Sequence, residues 1–178
     1  MNVLSLFDGM SCGQLALHRA GIAYDNYYAS EIKPIAIKVT KNNFPNTIHI
    51  GDVTKLDLST LPKIDLLIGG SPCQDFSQMK AQGKGLEGDK SKLFYEYLRV
   101  LKEIKPKYFL LENVRMKKES EQQLNEYLGI EGLHINSELV SYQKRPRIYW
   151  TNISNASIPH DRNINFQDHK ETNYDICK

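Results

Sequence analysis

The sequence has no apolar run long enough to cross a bilayer, and its first residues lack the basic segment of a signal peptide. We therefore expect a soluble, cytoplasmic protein that does not bind membranes. Cysteine is scarce, because only three are present, far apart and odd in number, and this excludes a disulfide framework. No C-x-x-C pair suggests zinc, so we expect no metal. The net charge is only +2, so any contact with a nucleic acid must be made by a local surface.

Internal repeats, linkers and low-complexity segments are also absent, and 178 residues are enough for one domain with a buried core. Short apolar segments alternate with helical patterns. Strands are predicted at residues 3–7, 24–30, 47–50, 64–68, 108–111, 134–140 and 147–152, and helices at 14–20, 35–42, 93–104 and 120–128. This alternation predicts an α/β fold with a doubly wound, mostly parallel sheet. No helix separates the last two strands, so we expect an antiparallel hairpin at one edge, followed by an irregular tail at 154–178.

Polar residues follow several predicted strands, at the carboxyl ends where open α/β sheets bind ligands. These positions are Asp8-Gly9, Glu31, Asp52, Cys73 and Glu112. The first turn lacks G-x-G-x-x-G spacing and a P-loop lysine, so a pyrophosphate is not favoured. Glu31 is placed to accept hydrogen bonds from ribose hydroxyls, and Asp52 from an exocyclic amine. A nucleoside without a phosphate chain fits this pattern, and S-adenosylmethionine is such a ligand. Alternatively, Asp8 and Asp52 merely cap turns and Glu31 is solvated.

The segment around Cys73 is the candidate for covalent chemistry. Cys73 follows a buried strand and lies near a predicted helix start, where a thiolate can be stabilised. Its alternative role is that of a small buried hydrophobic residue. Glu112 ends the next strand, where it is otherwise a surface carboxylate. Gln143, Arg145 and Arg147 share one face of an extended segment, and a solvated edge strand explains them as well.

Four motifs, in chain order, resemble those of the cytosine-5 DNA methyltransferases. They are Phe7-x-Gly9, Gly70-Ser71-Pro72-Cys73, Glu112-Asn113-Val114 and Gln143-x-Arg145-x-Arg147. The resemblance covers residues 1–153, which we take as the catalytic core, and residues 68–114 are especially similar to phage-encoded and vertebrate de novo enzymes. It implies a Rossmann-like sheet that binds S-adenosyl-L-methionine, and double-stranded DNA as substrate.

The resemblance also implies a role for each matched residue. Cys73 would add to carbon 6 of a cytosine flipped out of the duplex, so that carbon 5 can take the methyl group. Glu112 would hold N3 and the N4 amine of the base. Arg147 would contact its O2, and Arg145 would support the loop or a phosphate. The implied cofactor-binding residues are Phe7, Asp8, Gly9, Met10, Ser11, Cys12, Gly13, Glu31, Ile32, Asp52, Val53, Pro72 and Leu93.

The sequence departs from the family after the arginine motif. Family members continue with a long target-recognition region and a closing helix, and the roughly 25 residues after Asn152 are too few for a recognition domain. We therefore expect a core that is truncated, or that is completed by a second polypeptide or by a homodimer. Two alternatives remain: a non-catalytic descendant that binds cofactor, DNA or a partner, and a tRNA cytosine methyltransferase.

Overall fold

The computed structural model of the chain describes residues 1–71 and 92–169. Seven strands form one sheet in the order β3-β2-β1-β4-β5-β7-β6. Their bounds are β1 Asn2–Leu6, β2 Asn26–Ser30, β3 Ile48–His49, β4 Leu66–Gly69, β5 Tyr108–Val114, β6 Leu133–Asn136 and β7 Pro146–Thr151. Strands β1 to β5 pair in parallel, and β7 is antiparallel to both β5 and β6. The predicted parallel sheet with an antiparallel edge hairpin is therefore confirmed.

The strand predicted at 134–140 is too long, because β6 ends at Asn136. The side chain of Asn136 accepts hydrogen bonds from the backbone N–H of Glu138 at 3.4 Å and of Arg145 at 2.9 Å. A short 3-10 turn, Ser137–Leu139, follows directly. A side-chain oxygen that accepts from backbone two residues later favours a turn over a continued strand. Asn136 thus ends the strand and starts the connection to β7.

Within the described residues, five α-helices connect or follow the strands. They are α1 Cys12–Arg19, α2 Pro34–Asn43, α3 Lys92–Ile104, α4 Lys118–Leu128 and α5 Phe166–His169. The short helix α5 lies in the tail predicted to be irregular, and residues 154–165 form no helix or strand. The domain boundary at 153 remains a prediction. Within 1–71 and 92–169, no helix is long and apolar enough to cross a membrane. The same residues contain no group of three or more His, Cys, Asp or Glu that can hold a metal ion.

The two faces of the sheet are packed unequally. Helices α3 and α4 contribute Phe94, Tyr97 and Leu124 to the larger apolar core. A smaller core forms under α1 and includes Leu17 and Tyr27.

Side chains alternate between the faces of a strand, and this alternation positions the polar residues of β5 and β7. Leu111 and Ile148 point into the larger core. Glu112, Arg147 and Tyr149 alternate with such buried residues and therefore lie on the opposite face, on the side of α1.

Candidate active site

A cavity of about 640 Å³ lies at the carboxyl ends of β1 and β2. Most of the predicted cofactor residues line it: Phe7, Asp8, Gly9, Met10, Cys12, Glu31, Ile32, Asp52, Val53 and Leu93. Ser11 is buried and Gly13 lines a neighbouring cavity. Pro72 lies outside the described residues. Ser30 and Lys33 also line the cavity, although the sequence motifs did not indicate them.

The loop after β1 has an unusual backbone. Phe7, Gly9 and Ser11 all adopt the left-handed region, with φ of 57°, 60° and 62°. This conformation costs of order 1–3 kcal/mol at a non-glycine residue, so surrounding bonds must hold it. The carboxylate of Asp8 accepts from the hydroxyl of Tyr27 at 2.8 Å and from that of Ser11 at 2.6 Å. The loop is therefore held by the hydroxyl of Tyr27 in β2 and by the hydroxyl of its own Ser11.

Glu31 fastens the same loop to the end of β2. Its Oε2 accepts from the backbone N–H of Gly9 at 2.8 Å. Its Oε1 accepts from the N–H groups of Ile32 and Lys33, each at 2.8 Å. Each carboxylate oxygen has two lone pairs, so Oε2 keeps one for a ligand.

Asp52 caps a turn and also lines the cavity. Its Oδ1 accepts from the backbone N–H and the hydroxyl of Thr54, at 3.0 and 2.9 Å, and so caps a 3-10 turn. These hydrogen bonds, with a smaller contribution from Lys55, lower the pKa of the Asp52 carboxyl. In the described part of the chain Oδ2 has no hydrogen-bond partner. Asp52 therefore offers an ionised acceptor to the cavity it lines.

A second cavity, of about 420 Å³, lies beside the first and extends towards β5 and β7. Asp8, Cys12 and Gly70 line both cavities. Glu112 and Arg145 line the second cavity alone. These shared residues form a common wall, so a ligand in one cavity would lie next to a ligand in the other.

Glu112 is held at this second cavity by charge and by close packing. Nε of Arg147 lies 2.6 Å from its Oε1. This contact is an ion pair without an aligned hydrogen bond, because the buried Nε–H points elsewhere. The Glu112 side chain is 35% exposed and that of Arg147 only 16%. A Cβ atom at Gly70 would lie 2.9 Å from Oε2 of Glu112, so a side chain there would displace the carboxylate from its present position.

Cys73 lies outside the described residues, but Ser71, two residues before it, is held by a hydrogen bond. The described chain reaches Ser71, whose hydroxyl accepts from the amide of Asn113 at 3.1 Å. Both side chains are buried, and Asn113 follows Glu112 directly in β5. The asparagine of the Glu112-Asn113-Val114 motif therefore holds the start of the segment that carries Cys73.

Tyr149 is a cavity residue that the motifs did not indicate. It stands opposite Glu112 in the register of β5 and β7 and lines the second cavity. Burial, and then the charge of Glu112, raise the pKa of its phenol above the usual value, so it remains a neutral donor at ordinary pH. The alternation of Arg145 and Arg147 continues to Tyr149, and this period of two was the signal that could have found it.

Comparison with known proteins decides the family. The model of the C-5 cytosine-specific DNA methylases matches residues 1–176. The chain belongs to this family. Methylases of this family with similar sequences occur in phages and bacteria. The orphan methyltransferase M.Rho11sI of Bacillus phage rho11s is 36% identical over 174 residues, which are 90% of this chain and 34% of the relative. The type II methyltransferase M.NgoBV of Neisseria gonorrhoeae is 35% identical over 170 residues, which are 83% of this chain and 40% of the relative.

A solved structure agrees with the assignment. A candidate DNA modification methyltransferase encoded within an E. coli prophage superposes with a TM-score of 0.66 and 26% identity. The match covers 85% of this chain and 46% of that structure. The methylase chain thus spans between about a third and a half of the length of these relatives.

Proposed function

We propose that this chain is the catalytic core of an S-adenosyl-L-methionine-dependent DNA cytosine-5 methyltransferase. The observation that carries the proposal is the shared wall of the two cavities. One cavity presents the acceptors Glu31 and Asp52, and the other presents Glu112 and Arg145. Transfer of a group requires its donor and its acceptor to be bound side by side, and adjacent cavities provide this arrangement.

The first cavity suits the proposed cofactor. Its volume lies within the usual range for small-molecule sites. The first N–H groups of α1, beginning at Cys12, have no acceptor within the helix and are available to a carboxylate. The spare lone pair of Glu31 suits a ribose hydroxyl, and Oδ2 of Asp52 suits the adenine amine. S-adenosyl-L-methionine, when bound, would supply an electrophilic methyl group.

The second cavity suits a cytosine base. Glu112 would bind N3 and the N4 amine, and Arg147 would contact O2. The Cys73 thiolate would form a bond to carbon 6, the carbon 5–carbon 6 double bond would shift its electrons to carbon 5, and N3 would gain a proton held by Glu112. Carbon 5 would then take the methyl group, and the electron pair of the broken C–S bond would stay on the donor sulfur. Loss of the carbon 5 proton to water would re-form the carbon 5–carbon 6 double bond and expel the Cys73 thiolate, and N3 would return its proton to Glu112. The ring is restored and no electrons are gained or lost.

The ion pair with Arg147 gives Glu112 a defined orientation before the base arrives. An isolated carboxylate in this position is free to rotate, and ordering it would then oppose binding. We propose that Arg147 thus has two tasks, a contact to the base and the positioning of Glu112. Neutral Tyr149, in the same row of the sheet, is a further donor towards the base.

Methyl transfer from labelled S-adenosyl-L-methionine tests the proposal, with duplex DNA and tRNA as parallel substrates. We expect incorporation into DNA, its loss in Cys73→Ser, and a roughly 10²–10⁴-fold lower rate in Glu112→Gln, the usual range for a group that manages a proton. Calorimetry should show that both variants still bind the cofactor, because Glu112 does not line the first cavity and serine is close to cysteine in size.

A wild-type chain that binds no cofactor would contradict the proposal. Incorporation into tRNA but not into DNA would replace the substrate and keep the chemistry. We also propose that a second polypeptide or a second copy contributes to DNA sequence recognition. Comparison of several duplex sequences, with and without an added polypeptide, tests that part.

A further inference from the structure

Four cations lie together at the carboxyl end of the sheet, although the whole chain has a net charge of only +2. Arg115, Lys117 and Lys118 follow β5, and Lys144 precedes β7. All four are exposed. We call these four residues the basic rim.

The register of β5 and β7 brings the two segments of the basic rim side by side. The last pair is Val114 with Arg147, so Arg115 lies directly beyond it, next to the start of β7. Neighbouring strands in a sheet are about 5 Å apart, and this spacing separates the backbones of β5 and β7 where they pair. The segment before β7 is held by Ser137, whose N–H donates to the carbonyl of Arg145 at 3.3 Å and whose hydroxyl donates to that of Gln143 at 2.6 Å.

The basic rim also borders the second cavity. Arg145, which lines that cavity, follows Lys144 directly. Glu112, at the cavity, lies in β5 three residues before Arg115, which directly follows the strand. A base held at Glu112 would therefore place its own backbone close to the basic rim.

The cations of the basic rim have no partner among residues 1–71 and 92–169. Within the part of the chain that the structure describes, none of the four side chains makes an ion pair or a hydrogen bond. The carboxylates nearby are largely engaged, because Glu112 pairs with Arg147 and Glu121 contacts His134 at 2.6 Å. Exposed Glu119 is the remaining acidic residue at the start of α4.

Two of these cations occupy positions that disfavour them. Lys117 is the N-cap of α4 and Lys118 is its first residue, and Lys117 makes no side-chain capping bond. The helix macrodipole is positive at this end, and cations there are repelled. Residues that are unfavourable for the local secondary structure are typical of functional sites, where binding and not folding stability selects the side chain.

We propose that the basic rim binds the phosphate backbone of double-stranded DNA on one side of the flipped base. The proposal rests on the proposed function, which makes DNA the partner, and charge complementarity selects its backbone. Phosphate contacts hold a protein in position without reading sequence. The small net charge of the chain is compatible with DNA binding because these four cations lie together at the carboxyl end of the sheet.

The test compares two variants with the same change of charge. Arg115→Gln/Lys117→Gln/Lys118→Gln removes three cations of the basic rim. Lys63→Gln/Lys102→Gln/Lys107→Gln removes three exposed cations from the opposite, amino end of the strands. Fluorescence anisotropy with a labelled 30-base-pair duplex measures the affinity over a series of salt concentrations, with circular dichroism as the control for folding.

We expect the basic-rim variant to bind at least about tenfold more weakly at low salt. Its slope of log K against log salt should be shallower by about 2.7, since each lost phosphate contact removes about 0.9. The control variant should keep the wild-type slope. The single substitution Lys144→Gln lies outside the α4 segment and should make the slope shallower by about 0.9. It preserves the test if the triple variant does not fold.

Equal losses in both triple variants would show that only overall charge matters, and would overturn the proposal. Unchanged slopes in the basic-rim and Lys144→Gln variants would overturn it too. Cofactor calorimetry and methyl transfer on the same samples separate this result from the proposed function. A rim-dependent salt slope in a chain that binds no cofactor would refute the enzymatic proposal and support the basic rim.

Discussion

Both carboxylate oxygens of Asp8 accept hydrogen bonds from protein hydroxyls, those of Tyr27 and Ser11. Asp8 therefore holds the loop after β1, and each of its oxygens keeps one lone pair. Glu31 likewise binds backbone N–H groups with both oxygens, whereas Oδ2 of Asp52 has no hydrogen-bond partner among the described residues. At the scale of single residues, the same carboxylates thus shape the cavity and keep acceptor capacity for a ligand.

Replacement of Tyr27 by phenylalanine should destabilise the protein by about 1–3 kcal/mol, because Oδ1 of Asp8 loses its partner in a partly buried site. Cofactor affinity should fall as well, since the left-handed loop is less well held. Tyr97→Phe is the matched control. Tyr97 is fully buried, and its hydroxyl has no hydrogen-bond partner among the described residues. Removal of this hydroxyl should therefore leave the free energy of unfolding unchanged or raise it.

Urea denaturation and cofactor calorimetry measure both effects. Equal destabilisation by the two substitutions would refute the role given to the bond between Tyr27 and Asp8.

The β6–β7 hairpin is the element that carries Arg147 and Tyr149 to Glu112. It is tied to α4 through Asn125, whose Oδ1 accepts from Nε1 of Trp150 at 2.6 Å and from the N–H of Gly132 at 3.2 Å. Trp150 is fully buried, so the hairpin cannot shift without disturbing the larger core. The geometry of the second cavity therefore depends on contacts on the far face of the same strands.

Gly132→Ala tests this dependence. A Cβ at this position would lie 2.5 Å from Cγ2 of Ile148 and 2.9 Å from the Trp150 ring. We expect a loss of about 1–3 kcal/mol in the free energy of unfolding, the usual result of overpacking. Gly129→Asn is the control, because φ is +69° there, nothing lies within 4 Å, and asparagine tolerates this conformation.

Denaturant unfolding of both variants provides the measurement. A Gly132→Ala protein as stable as the wild type would mean that the hairpin adjusts freely.

On the scale of the whole molecule, the two faces of the sheet are asymmetric. Tyr97 belongs to the larger core under α3 and α4, and Tyr27 to the smaller core under α1. Beside α1, an apolar cavity of about 550 Å³ extends over the amino ends of β4 and β5. Glu112, Arg145 and Arg147 lie at the other end of the same face. The well-packed face thus supports the sheet, and the partly covered face presents the cavities.

The two buried tyrosines link the stability of the whole fold to alkaline pH. Burial raises the pKa of both phenols above the ordinary value of 10.0. Because the folded protein favours the protonated form, this contribution is complete below pH 10 and is lost as the pH rises beyond it. We expect the free energy of unfolding to fall above about pH 10, by up to roughly 1.4 kcal/mol per pH unit for each tyrosine.

Urea unfolding between pH 8 and 11.5 measures this loss. The double variant Tyr27→Phe/Tyr97→Phe should lose less stability with rising pH than the wild type. An identical alkaline dependence in both proteins would assign the loss to other groups.

Sequence alone predicted most elements close to their observed positions, since hydrophobic periodicity is a property of neighbouring residues. It failed at β6, where Asn136 captures backbone N–H groups and ends the strand early. It also missed Tyr149, because no motif marks a residue that acts by its position in the sheet. The catalytic and cofactor-binding roles of the site residues stay predictions, and Cys73 and Pro72 also lie outside the described residues.

The sequence by itself determined the α/β class, the polar residues at the strand ends and the order of the four motifs, because each depends on a short stretch of chain. Only the tertiary structure decided the strand order, the ion pair between Glu112 and Arg147, the bond from Gly9 to Glu31, and the shared wall of the two cavities. These features join residues that are distant in the chain. They depend on the register of paired strands and on packing across the sheet, which local patterns do not specify.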